Sequence, residues 1–287
     1  MPNYSILHKQ DIFITEKYEP DIRRDELSFL SRSFERHFNE RPYLHHTCYL
    51  FLTKTTKERS RQQSNWNTLC RGFLVPKEIR DKETVERFME AVGQFESIVN
   101  DSGLVRLERL TTEEITGTEN EPGIIERYLT LSADGTTMLQ DMQLNPDGMR
   151  IGDKRLCLHT LSTDRSDCRL SYAAPVGVML PCDHIYNQWI FIDDSNENLS
   201  RFEKMAKNMQ SLSRYSRSNQ INKEWLDEYL NEAHTNGLQS VRCHCNIIAW
   251  AENGNELRRV KNDVGSALAL MECTPHHNTT DLPALYW

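Results

Sequence analysis

The sequence predicts an α+β fold: mixed or antiparallel sheet with helices packed on one face, in two subdomains spanning residues 1–162 and 163–287. Three observations lead there. Val241, Cys243, Cys245, Ile247 and Ala249 alternate with Arg242, His244 and Asn246, the period of a strand with one covered face. Leu199, Phe202, Ala206, Met209 and Leu212 recur at spacings of three and four, the period of one helix face. The second half orders its patterns as strand, helix, helix, strand, helix, which lays helices on a sheet.

Taken along the chain, the first element is a helical stripe of Leu27, Leu30, Phe34 and Phe38. The opening residues 1–20 are polar and mixed in charge and yield no element. Residues 47–53 read as a strand. Residues 83–100 read as a long helix with Val85, Phe88, Met89, Val92, Phe95 and Val99 turned inward. Short strands follow near 104–110, 124–131, 138–144 and 155–161, with Asp134-Gly135 and Asp147-Gly148 as turns between them. A boundary falls near residues 162–171. Residues 185–192 are strand-like, dense in aromatic and branched side chains. Asp193-Asp194-Ser195 offers capping oxygens to the helix that follows. After a polar turn at 213–218, Ile221, Trp225, Leu226, Leu230 and Ala233 mark a second helix, closed by Gly237. The last helix carries Leu257, Val260, Val264, Ala267, Leu268 and Met271 on one face.

The motifs that carry chemistry are weak. A phosphate loop needs a glycine turn and then Gly-Lys-Ser/Thr opening a helix, so that backbone amides and the lysine meet the phosphates. The nearest stretch, residues 148–154, has Gly152-Asp153-Lys154, lacks the hydroxyl residue, and sits between hairpin-like flanks. Ile190-Phe191-Ile192-Asp193-Asp194 has the look of a magnesium-holding strand end. Without the loop, it reads instead as a buried strand whose acids cap a helix.

Cys243, His244, Cys245, Cys273, His276 and His277 are metal-friendly types. Alternation, however, turns both strand thiols toward the core and His244 away. His45-His46 and His276-His277 read as loop or surface histidines. Trp189, Trp225 and Trp250 read as core or sheet-face residues, with Trp189 and Trp250 able to leave one side to a partner. No cofactor is expected.

Composition narrows the class. Hydrophobic residues make up 38% and charged residues 26% of 287, the balance of a globular chain. No apolar run approaches the roughly 18–20 residues of a membrane span. The opening lacks the apolar core of a signal peptide. These features point to the cytoplasm. The eight cysteines then read as reduced, mostly buried thiols. A net charge of −8 disfavours non-specific nucleic-acid binding, and the basic stretches at 54–61 and 214–217 read as solvated loops and caps.

Several segments resemble the TraG ATPases of Bacteroides-type conjugative transposons. They are residues 29–42 (FLSRSFERHFNERP), 182–194 (CDHIYNQWIFIDD), 266–271 (SALALM) and the closing Leu285-Tyr286-Trp287. The resemblance implies the N-terminal α/β region of a type IV secretion ATPase, which in the family precedes a RecA-like, hexamer-forming motor. Members of the family begin further upstream, are longer between Ser162 and Thr163, and continue past Trp287 into the Walker motifs. ATP hydrolysis therefore does not carry over, and no catalytic, cofactor or metal residue has a position here to receive it.

What carries over is a docking and scaffold role. The region would bind inner-membrane channel proteins, aid self-association of the full-length protein, and lie peripheral to the inner membrane through protein contacts. Two alternatives stand beside it. One is a cysteine- or metal-dependent hydrolase built on Cys243, Cys245, Cys273 and His276. The other is a single-stranded DNA-binding module using aromatic faces and residues 214–217.

Overall fold

The computed structural model describes residues 4–17, 28–39, 43–55, 81–131, 140–145, 148–162, 173–177 and 179–286. The chain is α+β. It divides into two compact units, one of Met1–His8, Phe51–Leu107 and Trp189–Cys243, the other of Lys9–Leu50, Glu108–Gln188 and His244–Trp287.

The strands among the described residues are β1 (Tyr4–Glu16), β2 (Tyr43–Thr55), β3 (Met142–Asn145), β4 (Gly148–Ile151), β5 (Lys154–Ser162), β6 (His184–Ile192), β7 (Val241–Ala251) and β8 (Thr274–Asn278). They form one antiparallel sheet in the order β2-β1-β6-β7-β5-β4-β3, with β8 also paired to β5. The register sets Cys157 opposite Ala249 and His159 opposite Ile247 on one side of β5, and His159 opposite His277 on the other.

The second unit owns the core. The helix α8 (Gly254–Leu270) starts at Asn253, whose side chain accepts a hydrogen bond from the Glu256 N–H at 2.9 Å. It buries Val260, Val264, Ala267 and Leu268 against Cys157, Tyr186, Ile247, Ala249 and Ala251. Val176, from the short α5 (Ala174–Gly177), and Leu180 join them. Each fully buried aliphatic side chain contributes about 1.5–3 kcal/mol. Alternation along the strands turns Leu156, Leu158, Ile185, Ile248 and Trp250 into a second cluster. There they meet Leu131, Leu282 and Tyr286.

The helices of that second cluster are α4 (Ile124–Thr130) and α9 (Leu282–Tyr286). The 124–131 stretch, expected as a strand, is therefore mostly helix. Gly123 starts it; residues 115–117 fill the space a Cβ would need, and the Glu126 carboxylate accepts its N–H at 3.1 Å. Residues 104–110, also expected as a strand, pair with no strand among the described residues, and the short α3 (Thr112–Thr116) follows them.

A row of buried amides crosses three strands. Gln10 donates to Asn187 at 3.1 Å, and Asn187 donates to Asn246 at 3.0 Å. The remaining second-unit helix, α1 (Phe29–Asn39), leaves Phe29, Leu30 and Phe34 exposed.

The first unit contributes the longer helices α2 (Lys82–Asp101), α6 (Ser195–Leu212) and α7 (Arg217–Asn236). No described helix is long and apolar enough to cross a membrane. The turns at 134–135 and 147, most of the basic stretch at 54–61, Cys70, Cys168 and Trp287 lie outside the described residues.

Candidate functional site

The helical hairpin of the first unit is built from local chemistry. Where β6 ends, the Asp194 carboxylate accepts the Glu197 N–H at 3.0 Å and starts α6. Its neighbour Asp193 takes both arms of Arg242 from β7, at 2.6 and 3.2 Å, a bidentate geometry that fixes orientation. The same guanidinium lies 5.2 Å from the centre of the Phe191 ring. Gly237 ends α7 with φ +66°, the left-handed turn in which glycine carries no Cβ penalty. The Asp193-Asp194 pair expected as caps thus splits its work: one caps, the other pins β7.

Between α6 and α7 lies an apolar groove of about 350 Å³, lined by Phe202, Met205, Met209, Asn222, Trp225, Leu226, Tyr229 and Ser240. Phe202 meets Tyr229 edge-on, ring centres 5.4 Å apart. The Tyr229 hydroxyl is buried with no hydrogen-bond partner among the described residues. Trp225 is 59% exposed, which corrects its reading as a core residue. Its neighbours in that reading differ: Trp250 is buried, and Trp189 stacks on His8 at 4.5 Å. Neither α6 nor α2 contains a buried residue. The inward stripe expected on residues 83–100 is only half-covered, and Val85, Met89 and Ile98 are exposed.

The second unit holds a polar cluster that sequence reading missed. Asp11 on β1 is buried and accepts from Lys9 at 2.5 Å, while its other oxygen meets the His46 Nε2 at 3.0 Å. Burial pushes the Asp11 carboxyl up, but hydrogen bonds from Lys9, His46 and Cys48, with the Lys9 charge, outweigh it and hold the group below its ordinary range. Burial, followed by the charge of Asp11 and its hydrogen bond, pushes the Cys48 thiol up to about 11.

A thiol nucleophile is activated by a base that the acid orients. Here the acid sits between thiol and imidazole, so the thiol stays protonated. Phe13 stacks between His46 and His184, at 4.5 Å from each. The residues share a face because β1 and β2 are neighbours, a register that alternation alone does not supply.

The other sequence candidates fall as follows. Gly148 to Lys154 is the β4–β5 hairpin, Ile151 opposite Lys154, and the Lys154 ammonium donates to the Leu131 carbonyl. Cys243 is exposed near the start of β7, which corrects the expectation that both thiols lie in the core; Cys245 is half-buried. Cys245 packs against the cluster holding buried Cys273 and Cys157, and burial pushes Cys157 up to about 11. His276 is exposed. The His277 ring lies tilted by 40° against buried His159, ring centres 4.9 Å apart. Both histidine pairs lie on strands rather than loops, and all four side chains are at the surface, as expected. Among the described residues no three His, Cys, Asp or Glu side chains are grouped to hold a metal ion. In the 214–217 stretch, Arg217 opens α7 and donates to Gln220 at 3.1 Å. No family model matches the chain, and it matches no curated protein.

Proposed function

We propose that this chain is a non-catalytic docking and scaffold region, the front part of a TraG-type conjugation ATPase, which binds channel components of a type IV secretion apparatus and aids self-association of the full-length protein. The observation that carries the docking role is the first unit's helices. α2 and α6 bury no residue, and α6 with α7 leaves an apolar groove edged by an exposed tryptophan. Apolar surface gathered in one patch is the mark of an interaction site, and tryptophan is enriched where interfaces take their energy. The parentage rests on the four sequence segments. A peripheral place at the inner membrane fits described helices of which none is long and apolar enough to span it.

The test is binding of the full chain to each inner-membrane subunit of the conjugation channel, by interferometry. At least one subunit binds, and Trp225→Ala weakens that binding by about tenfold or more. Absence of binding to every channel subunit at micromolar concentration overturns the reading. So does ATP turnover that Lys154→Ala abolishes.

A further inference from the structure

The groove's rim carries a charge pattern that narrows what docks there. Glu228 and Glu232 lie three and seven residues beyond Trp225 on α7, the spacing of one helix face, with Glu224 a turn before Glu228, and all three are exposed. Like charges four residues apart destabilise a helix, so the stripe costs α7 stability. Within the chain little offsets that cost. Glu224 accepts only a neutral hydrogen bond, from Gln220 at 3.0 Å. Glu228 and Glu232 have no ion-pair partner among the described residues. The basic residue nearest in sequence, Lys223, is already paired with Asp227 at 2.7 Å. His234, one turn on, meets Glu203 of α6.

From this we infer that the groove binds an amphipathic helix of a partner protein whose apolar stripe is flanked by lysine or arginine. The inference rests on the docking reading and adds the partner's chemistry. The apolar floor of Phe202, Met205, Met209 and Leu226 takes side chains at helical spacing, the helix-in-groove mode. The two methionines supply a floor that adapts its shape to the incoming side chains. Trp225, beside the glutamates, stacks on the partner's aliphatic and cationic stems. The glutamate row selects the sign of the flank and speeds encounter. A second copy docking through α2 is disfavoured by charge. α2 carries Glu83, Glu86, Glu90, Glu96 and Asp101 against Lys82 and Arg87, so it would set acid against acid.

The experiment uses the full chain and two labelled probe peptides of roughly 18 residues, long enough for a stable helix. One has leucines at heptad a and d positions with lysine flanks; the other has the same leucines with glutamate flanks. Fluorescence anisotropy reads binding. The lysine probe binds the wild type at least about tenfold more tightly than the glutamate probe, a preference that falls as salt rises. The E228K/E232K double variant reverses the preference, and Trp225→Ala weakens the lysine probe by about tenfold. Charge reversal on α2 (E86K/E90K) leaves it unchanged, which separates the site from the chain's overall negative charge.

Equal binding of both probes to the wild type, or loss of the lysine preference in E86K/E90K alone, overturns the charge inference. If the glutamate probe binds better and Trp225→Ala weakens it, the groove docks helices and only the partner's sign is wrong. If neither probe binds while a channel subunit does, the helix-in-groove inference fails and the docking reading stands. Far-UV circular dichroism confirms that each variant is folded.

Discussion

Tyr128 and Tyr286 clasp each other. Each phenol donates to the other's backbone carbonyl at 2.6 Å, and the two rings stack with centres 4.8 Å apart. The pair ties α4 to α9 beneath the sheet, across a sequence separation of 158. Because both carbonyls accept from a partner's side chain, removing one hydroxyl leaves one acceptor unpaired and the ring stack intact. Tyr128→Phe and Tyr286→Phe each lower the unfolding free energy by about 1 kcal/mol, read from urea midpoints. The double variant loses less than the sum if the two bonds reinforce each other. Burial raises both phenols above the ordinary tyrosine range, so absorbance titration leaves these two of the ten tyrosines protonated where exposed ones have ionised.

Leu268 and Leu270 test the placement of the core on α8. They are two residues apart and chemically identical, yet Leu268 is fully buried and Leu270 is 65% exposed. Leu268→Ala opens a cavity against Ile247 and Ala249 and costs about 2–5 kcal/mol. Leu270→Ala stays within about 0.5 kcal/mol of wild type. Equal losses in the two variants would mean that α8 is turned differently on the sheet.

Such contrasts show where the sequence was legible. α8 was readable because Val260, Val264, Ala267 and Leu268 follow the helix period and are the residues the helix buries. The α6–α7–β7 succession was readable for the same reason, with Asp194 and Gly237 at its ends. The 124–130 helix was misread because Ile124, Ile125 and Tyr128 favour strands. The deciding contact is Glu126 reaching back to the Gly123 N–H, a three-residue capping relation rather than a propensity. β1 was missed because Gln10 and Asp11, polar by composition, are buried. Their burial is offset by Asn187, His46 and Lys9, partners that only the strand order brings near. β7 illustrates the converse. One covered face was expected along its length, but Val241 to Cys243 are exposed and from Asn246 to Ala251 both faces are buried. Trp225 was misplaced because helical spacing cannot distinguish a face against the core from one left to a partner.

His159 makes stability depend on pH. It is buried on β5 with its Nδ1 unpartnered, and its ring lies 4.9 Å from that of His277. Burial first, and then the charges of His277 and Lys261, lower it from about 6.5 to about 4. Above pH 6.5 both the folded and unfolded states hold a neutral imidazole, so the stability is fully present. As pH falls from about 6.5 to about 4, the unfolded chain takes a proton that the folded chain refuses, and stability is lost, by up to roughly 3 kcal/mol. Urea midpoints at pH 7.5 and pH 5 therefore diverge in the wild type. His159→Gln narrows the divergence. An unchanged divergence would assign it to His184, His244 or His277, which are also lowered by burial.

Asp11 controls the reactivity of Cys48. Cys48 is exposed, which alone would make it an easy target for alkylation. Reaction requires the thiolate, and partial desolvation of the thiol together with the adjacent Asp11 charge pushes it up to about 11. At pH 8 the thiolate fraction is then on the order of a thousandth. Peptide mass spectrometry after a timed iodoacetamide pulse reads Cys48 against exposed Cys243 in the same molecule. In the wild type Cys48 lags Cys243. Asp11→Asn removes the charge and leaves a neutral side chain of the same size between Lys9 and His46. Burial remains, so Cys48 speeds up severalfold without reaching the rate of an unhindered thiol. A rate unchanged by Asp11→Asn would mean that burial alone holds the thiol, and that the carboxylate serves only to tie β1 to β2 through His46.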